Sequence, residues 1–330
     1  MNDERLLEVG NLTTAFRMRG NRYPAIRNVG FHLDRNETLA LVGESGSGKS
    51  ITALSIMRLI PQPPGEIVSG QILLKGLDLL SLPEEKMRGI RGNRIAMIFQ
   101  EPMTSLNPVL TVGFQIMEAI IYHRSVSRRE AKDQAVEIMN HVKIPSAARR
   151  FNDYPHQFSG GMRQRVMIAM ALACRPEVIL ADEPTTALDV TIQAQILYLL
   201  AELKREIRMS MIFITHNLGI VASVADRVAV MYAGEIVEIA PVTELFGRPR
   251  HPYTEMLLRT VPRVDRNMES LSYIPGQVPS LDRMPAACRY ITRCESRKDI
   301  CDLEPAALVP LAEDSRHFVR CWVRNSQTTP

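Results

Sequence analysis

Glu37-Thr38-Leu39-Ala40-Leu41-Val42-Gly43-Glu44-Ser45-Gly46-Ser47-Gly48-Lys49-Ser50 decides how this chain is read. Glu37 to Val42 form a short buried strand. The eight residues that follow fit G-x-x-x-x-G-K-[ST], and they open a helix expected over 50–60 and stopped by Pro61. Gly43, Gly46 and Gly48 let the backbone wrap closely around phosphate oxygens. The N–H groups of Glu44, Ser45, Ser47 and the helix start then point at the anion. Lys49 brings a point charge to the β- and γ-phosphates, and the Ser50 hydroxyl is placed to ligate Mg²⁺. A glycine-rich turn without a ligand is the plainer reading, but the strand before it and the helix after it disfavour that.

Outward from this loop, strands and helices alternate. Residues 5–17 and 25–34 read as strands joined by a turn near Gly20-Asn21, and 70–76 as a hairpin arm. Residues 94–100 form another strand. From about 110 to 175 the period is helical, as in GFQIMEAIIYHR and REAKDQAVEIMNHV. Strands return at 178–181, 210–215, 227–232 and 235–239. The order implies an α/β core with a parallel sheet, an antiparallel β subdomain and an inserted helical subdomain at about 103–175. Past 262 prolines recur and periodicity fades, so 1–265 is expected as one nucleotide-binding domain and 266–330 as a small separate extension.

At the carboxyl end of the strand Val178-Ile179-Leu180-Ala181 stand two acids, Asp182 and Glu183. That sheet edge is where α/β proteins bind ligands. Asp182 suits Mg²⁺ ligation through water, and Glu183 suits polarising the attacking water.

The 330 residues are 45% hydrophobic and 23% charged, which suits a globular chain. The charged N-terminus predicts no export signal, and no run of 18 apolar residues predicts a membrane span. Forty basic and 36 acidic residues are well mixed, which argues against a nucleic-acid arm.

Phe158-Ser159-Gly160-Gly161-Met162-Arg163-Gln164-Arg165 precedes a helix that leads into the 178–181 strand. This stretch resembles the signature of the ABC ATPases, and further elements resemble the family in the same order. Gln100 in IFQEP is similar to the Q-loop, Thr186-Ala187-Leu188-Asp189 to the D-loop, and His216 in FITHN to the switch histidine. Phe16 resembles the adenine-stacking aromatic, with Tyr23 as competitor. Met162 replaces the usual Gln, as is common in one branch, and Ile51 stands where a second hydroxyl is frequent. The methionines at 162, 167 and 170 are read as core packing.

FQEPMTSLNP, FSGGMRQRVMIAMAL, HPYTEMLL at 251–258 and IPGQVP at 274–279 resemble the oligopeptide/dipeptide importer branch. The resemblance implies an ATP- and Mg²⁺-dependent ATPase at the cytoplasmic face of a bacterial inner membrane. It implies catalytic roles for Glu183, His216 and Gln100, with Mg²⁺ held by Ser50, Gln100 and Asp182. Ser159, Gly160, Gly161 and Met162 would serve the nucleotide of a second, related ATPase subunit. Two membrane permease subunits and an extracytoplasmic peptide-binding protein would complete the transporter. Nickel importers share many of these motifs and form the alternative; single-cassette architecture disfavours DNA-repair and translation ABC ATPases.

Cys174 lies in an apolar helical run and reads as a buried small hydrophobe. Cys288, Cys294, Cys301 and Cys321 are spaced x5, x6 and x19, unlike the paired C-x2-C of common zinc sites. Four thiolates suit zinc, an iron–sulfur cluster or no metal. The resemblance implies a [4Fe-4S] cluster, held in some members of the branch.

Overall fold

The structure, a computed structural model, describes residues 5–186, 188–260 and 274–324. Ala187 of the D-loop stretch and the expected boundary at 265/266 lie outside the described residues. Two compact units emerge: one holds 33–37 and 81–214, the other 7–32, 38–80 and the residues described after 214.

Among the described residues, twelve strands run in chain order as β1 (Arg5–Met18), β2 (Asn21–Asp34), β3 (Thr38–Val42), β4 (Gly65–Leu74), β5 (Leu77–Asp78), β6 (Ile95–Ile98), β7 (Val178–Asp182), β8 (Ser210–Thr215), β9 (Arg227–Tyr232), β10 (Glu235–Pro241), β11 (Val309–Pro310) and β12 (Phe318–Val319). In the first unit β6, β7 and β8 pair in parallel, with Ile98 opposite Ala181 and Asp182 opposite Ile214. All residues of these three strands are buried, which explains their unbroken apolar runs.

Three helices of this unit, Val112–His123, Arg128–His141 and Gly160–Leu172, fill the region expected to be helical. Thr111 caps the first by accepting from the Phe114 N–H. The second opens on a capping box in which Ser127 and Glu130 each accept from the other's backbone. Ile116, Ile120, Ala131, Ala135, Met139 and Val166 supply buried faces. Met167 is buried while Met162 and Met170 are half-buried, and Cys174 is buried with its thiol 3.5 Å from the Ala119 carbonyl.

The second unit carries an antiparallel sheet ordered β2-β1-β4-β5. Beside it, β3 pairs in parallel with β9, and β10 runs antiparallel to β9. The extension adds to that sheet: β12 pairs with β10, placing Val319 opposite Glu238, and β11 pairs with β12. The segment expected to stand apart therefore shares a compact unit with the phosphate loop. The helix after that loop spans Lys49–Ile56, shorter than expected. Arg58 in the left-handed region (φ 53°) turns the chain before Pro61 can act.

Candidate nucleotide site

The phosphate loop leaves the carboxyl end of β3 and is shaped by glycines whose backbone conformations L side chains rarely adopt. Gly43 has φ 152° and Gly48 has φ 100°. A Cβ on Gly43 would lie 2.2 Å from the Met231 carbonyl oxygen, and one on Gly48 would lie 2.8 Å from Ile26 Cγ2 and 3.1 Å from Gly234 Cα. The turn between β9 and β10 thus presses against the loop, and Gly234 N–H donates to the Ser47 carbonyl at 2.8 Å. Gly234 has no room for a side chain itself, because its Cβ would lie 2.0 Å from the Ala25 carbonyl oxygen.

Lys49 is buried and folds back over the loop. Its ammonium donates to the carbonyls of Gly43 at 2.8 Å and Glu44 at 3.0 Å, and reaches Ser47 Oγ at 3.4 Å. Such carbonyl contacts preorganise the charge inside the curve of the loop, where phosphate oxygens would replace them. Ser45 and Gly46 are exposed, and Ser50 is half-buried at the helix start.

In the other unit, Asp182 ends β7 and is buried. Glu183 follows with φ 45°, a left-handed conformation uncommon for a non-glycine residue. Its backbone N–H still donates to the Ile214 carbonyl at 2.9 Å, so β8 holds it in place. Its carboxylate accepts from Gln100 Nε2 at 3.0 Å and from Thr186 Oγ1 at 2.9 Å, both on Oε2. Gln100 and Glu183, both expected at the site, thus meet directly.

Ser159 is the N-cap residue of Gly160–Leu172, yet its side chain makes no capping bond to that helix. Ser159 and Gly160 are exposed; Gly161 and Met162 are half-buried. A Cβ on Gly161 would meet Ile192 Cγ2 at 2.8 Å, which excludes larger residues there. Asp189 is exposed at the N-cap of the helix Val190–Ile207, again without a side-chain cap bond. His216 is exposed just after β8, and Asn217 caps the next helix by accepting from Gly219 N–H at 3.0 Å. Phe16 is half-buried on β1 opposite Gly65, with its ring 3.0 Å from where a Gly65 Cβ would sit; Tyr23 is half-buried on β2.

Two residues that hold the phosphate loop were not foreseen. Tyr253 donates no charge but its hydroxyl accepts from the Glu44 N–H at 3.0 Å. Arg293 donates two hydrogen bonds to the Glu44 carboxylate, at 2.8 and 3.0 Å. Burial opposes the charge on Arg293, but the hydrogen bonds and charge of Glu44 outweigh it and hold its pKa above the ordinary value. The HPYTEMLL stretch gave Tyr253 a visible signal; Arg293 gave none.

The four cysteines of the extension line one small cavity with Ile291, Pro252 and Trp322. Cys301 and Cys321 are buried and Cys288 and Cys294 half-buried, and none is in a disulfide. Burial first, then neighbouring thiols, push Cys288 up to about 12; burial also raises Cys294 and Cys321. Among the described residues no three His, Cys, Asp or Glu side chains gather closely enough to hold a metal ion. Four cysteine sulfurs border the one cavity, and thiolate is the donor type that both zinc and iron–sulfur groups take. No described helix is long and apolar enough to cross a membrane.

Comparison with known proteins agrees with this geometry. The ABC transporter family profile matches residues 26–186, and the profile for the oligopeptide/dipeptide transporter C-terminal region matches 237–301. A putative peptide import ATP-binding protein of Brucella melitensis is 52% identical, covering 96% of this chain and 96% of the relative. The oligopeptide transport ATP-binding protein OppD of Bacillus subtilis is 52% identical over 97% of this chain and 89% of its own. The dipeptide transport ATP-binding protein DppD of the same species is 49% identical over 98% and 96%. Among solved structures, the ATP-binding cassette MJ0796, in a dimeric post-hydrolysis state bound to ADP and Pi, superposes with TM-score 0.64 at 28% identity, covering 72% of this chain and 99% of that one. A loop shaped for phosphates, a strand ending in paired acids and an extension matched by its own profile place this chain in the family of ABC transporter ATP-binding proteins, in the oligopeptide/dipeptide branch.

Proposed function

We propose that this chain binds and hydrolyses ATP to drive uptake of di- and oligopeptides by a membrane ABC importer. The observation that carries the reading is the phosphate loop, with Lys49 folded inside it, on a chain about half identical to peptide import ATP-binding proteins over nearly its full length. Lys49 and the loop amides hold the phosphates. Ser50, Gln100 and Asp182 would hold Mg²⁺, which would supply charge neutralisation to the phosphates when bound. Glu183, oriented by Gln100 and Thr186, takes the proton of the attacking water. His216 contacts the γ-phosphate, and Phe16 stacks on adenine. Ser159, Gly160, Gly161 and Met162, with Asp189, serve the nucleotide of a partner ATPase, so that ATP closes a dimer that ADP does not. Only that difference in affinity lets the nucleotide do work.

Membership of the family supports a reading of the remaining assembly. A second related ATPase, two permease subunits and an extracytoplasmic peptide-binding protein are the partners, and this subunit sits peripherally at the cytoplasmic face of the inner membrane. Residues 1–265 form the nucleotide-binding domain and 266–330 the extension. Cys288, Cys294, Cys301 and Cys321 hold a [4Fe-4S] cluster; convergence of the four thiols on one cavity supports this. The group would act as a covalent staple in a segment with little apolar core of its own.

Replacing Glu183 by Gln tests the hydrolytic role. Turnover should fall by a factor of roughly 100 or more, the scale of a lost general base. ATP binding should persist, whereas Lys49→Ala should weaken binding itself. Wild-type turnover in Glu183→Gln removes Glu183 from the reaction.

A further inference from the structure

The cysteine-bearing extension reaches the phosphate loop at Glu44, and does so through a built contact. Arg293 stands between Cys288 and Cys294, next to the latter. Its side chain is 4% exposed, and its guanidinium grips both carboxylate oxygens of Glu44. The remaining donors are also placed: Nε donates to the Pro275 carbonyl at 2.8 Å, and one terminal nitrogen reaches the Ile274 carbonyl at 3.4 Å. The planar head lies over the Tyr232 ring, 5.6 Å from its centroid. Tyr290, also between the two cysteines, meets Tyr232 edge-on at 5.0 Å and Tyr253 at 5.4 Å. Tyr253 in turn accepts from the Glu44 N–H. Arg289 donates to the Ala233 carbonyl in the turn whose Gly234 N–H holds Ser47.

A carboxylate in a loop that receives a triphosphate is an electrostatic liability, because like charges repel and the loop amides must face the anion. A bidentate arginine cancels that charge and turns the carboxylate toward the extension. It also fixes the loop before the ligand arrives, which lowers the ordering cost of binding.

We propose that Arg293 is a positioning residue for nucleotide binding, acting through Glu44, so that the extension sets the affinity of the phosphate loop. The inference rests on the ATP-binding reading above. HPYTEMLL and IPGQVP thereby acquire a role: the first supplies Tyr253 and the second the carbonyls that seat Arg293.

The test is a double-mutant cycle on the full chain, with ATP and ADP affinities measured by titration alongside melting temperature. Binding by the unsubstituted chain, lost in Lys49→Ala, tests the ATP-binding reading alone. Arg293→Ala should weaken nucleotide binding about ten-fold, a coupling on the scale of one charge-assisted pair. The loss should be larger at low salt, as expected of an uncovered charge. In the Glu44→Gln background the same substitution should change affinity by no more than about two-fold, since the charge it neutralises is gone. Should Arg293→Ala fail to fold, Arg293→Lys replaces it: a point charge without the fork should give a smaller loss that again vanishes with Glu44→Gln. Unchanged affinity in a natively folded Arg293 variant, or an equal loss in both backgrounds, overturns the proposal.

Discussion

His251 shows how a single side chain ties stability to pH. It is buried, and its Nδ1 accepts from the Tyr253 N–H, capping the helix Pro252–Arg259. Burial lowers its pKa to about 4, with Glu238 pulling the other way and Arg320 reinforcing the drop. The sign follows from proton counting. Between pH 6.5 and 4 the unfolded chain takes up a proton on this residue that the folded chain refuses, so stability falls as pH falls through that window. Above it the contribution is flat. The loss is on the order of 3 kcal/mol at the acid end. Asn can accept the same cap bond without titrating. Denaturant unfolding of the chain and of His251→Asn across pH 4–7 should show the stability difference sloping in this window. A parallel pair of curves would mean the imidazole does not carry it.

Helix starts separate residues that hold the fold from residues that face a partner. Ser127 caps its own helix through a reciprocal box, so Ser127→Ala should cost about 1 kcal/mol of stability. Ser159 sits at the same position of its helix with no cap bond. Ser159→Ala should therefore cost less than about 0.5 kcal/mol in the isolated subunit. Ser159→Arg should leave its nucleotide affinity intact and block ATP-driven dimer formation, as read by size-exclusion chromatography. Lost ATP affinity in the isolated Ser159→Arg subunit would rule out service in trans. These elements were legible in the sequence because their signals are local: an apolar run for β7, a glycine motif after β3, a 3.6-residue period over 112–141. The stop at Arg58 was not, because a left-handed residue other than glycine leaves no mark, while the nearby Pro61 does. Nor was the pairing of Phe318-Val319 with β10, since two residues carry no period.

At the scale of the molecule, what the sequence hid is distance along the chain. Glu44 and Arg293 lie 249 residues apart, and neither looks unusual among its neighbours. The cysteines and the fading periodicity past 262 mark 266–330 as a small separate extension, with no sign of a link to the phosphate loop. The contact through Arg293 argues otherwise. Arg293 and Tyr290 are carried by the chain between Cys288 and Cys294, and the Cys288 N–H donates to the Cys301 carbonyl at 3.2 Å. Whatever orders the four thiols also orders the residues that hold Glu44 and pack on Tyr232 and Tyr253. Anaerobically purified protein should be brown and hold about four iron and four sulfide per chain. Cys301→Ser should lose the iron, expose 285–324 to protease and, in the same preparation, weaken ATP binding several-fold, approaching the loss in Arg293→Ala. Colourless protein with one zinc would give the cavity a different occupant. Iron lost and the tail cleaved with ATP affinity unchanged would show that the phosphate loop keeps its shape without the extension.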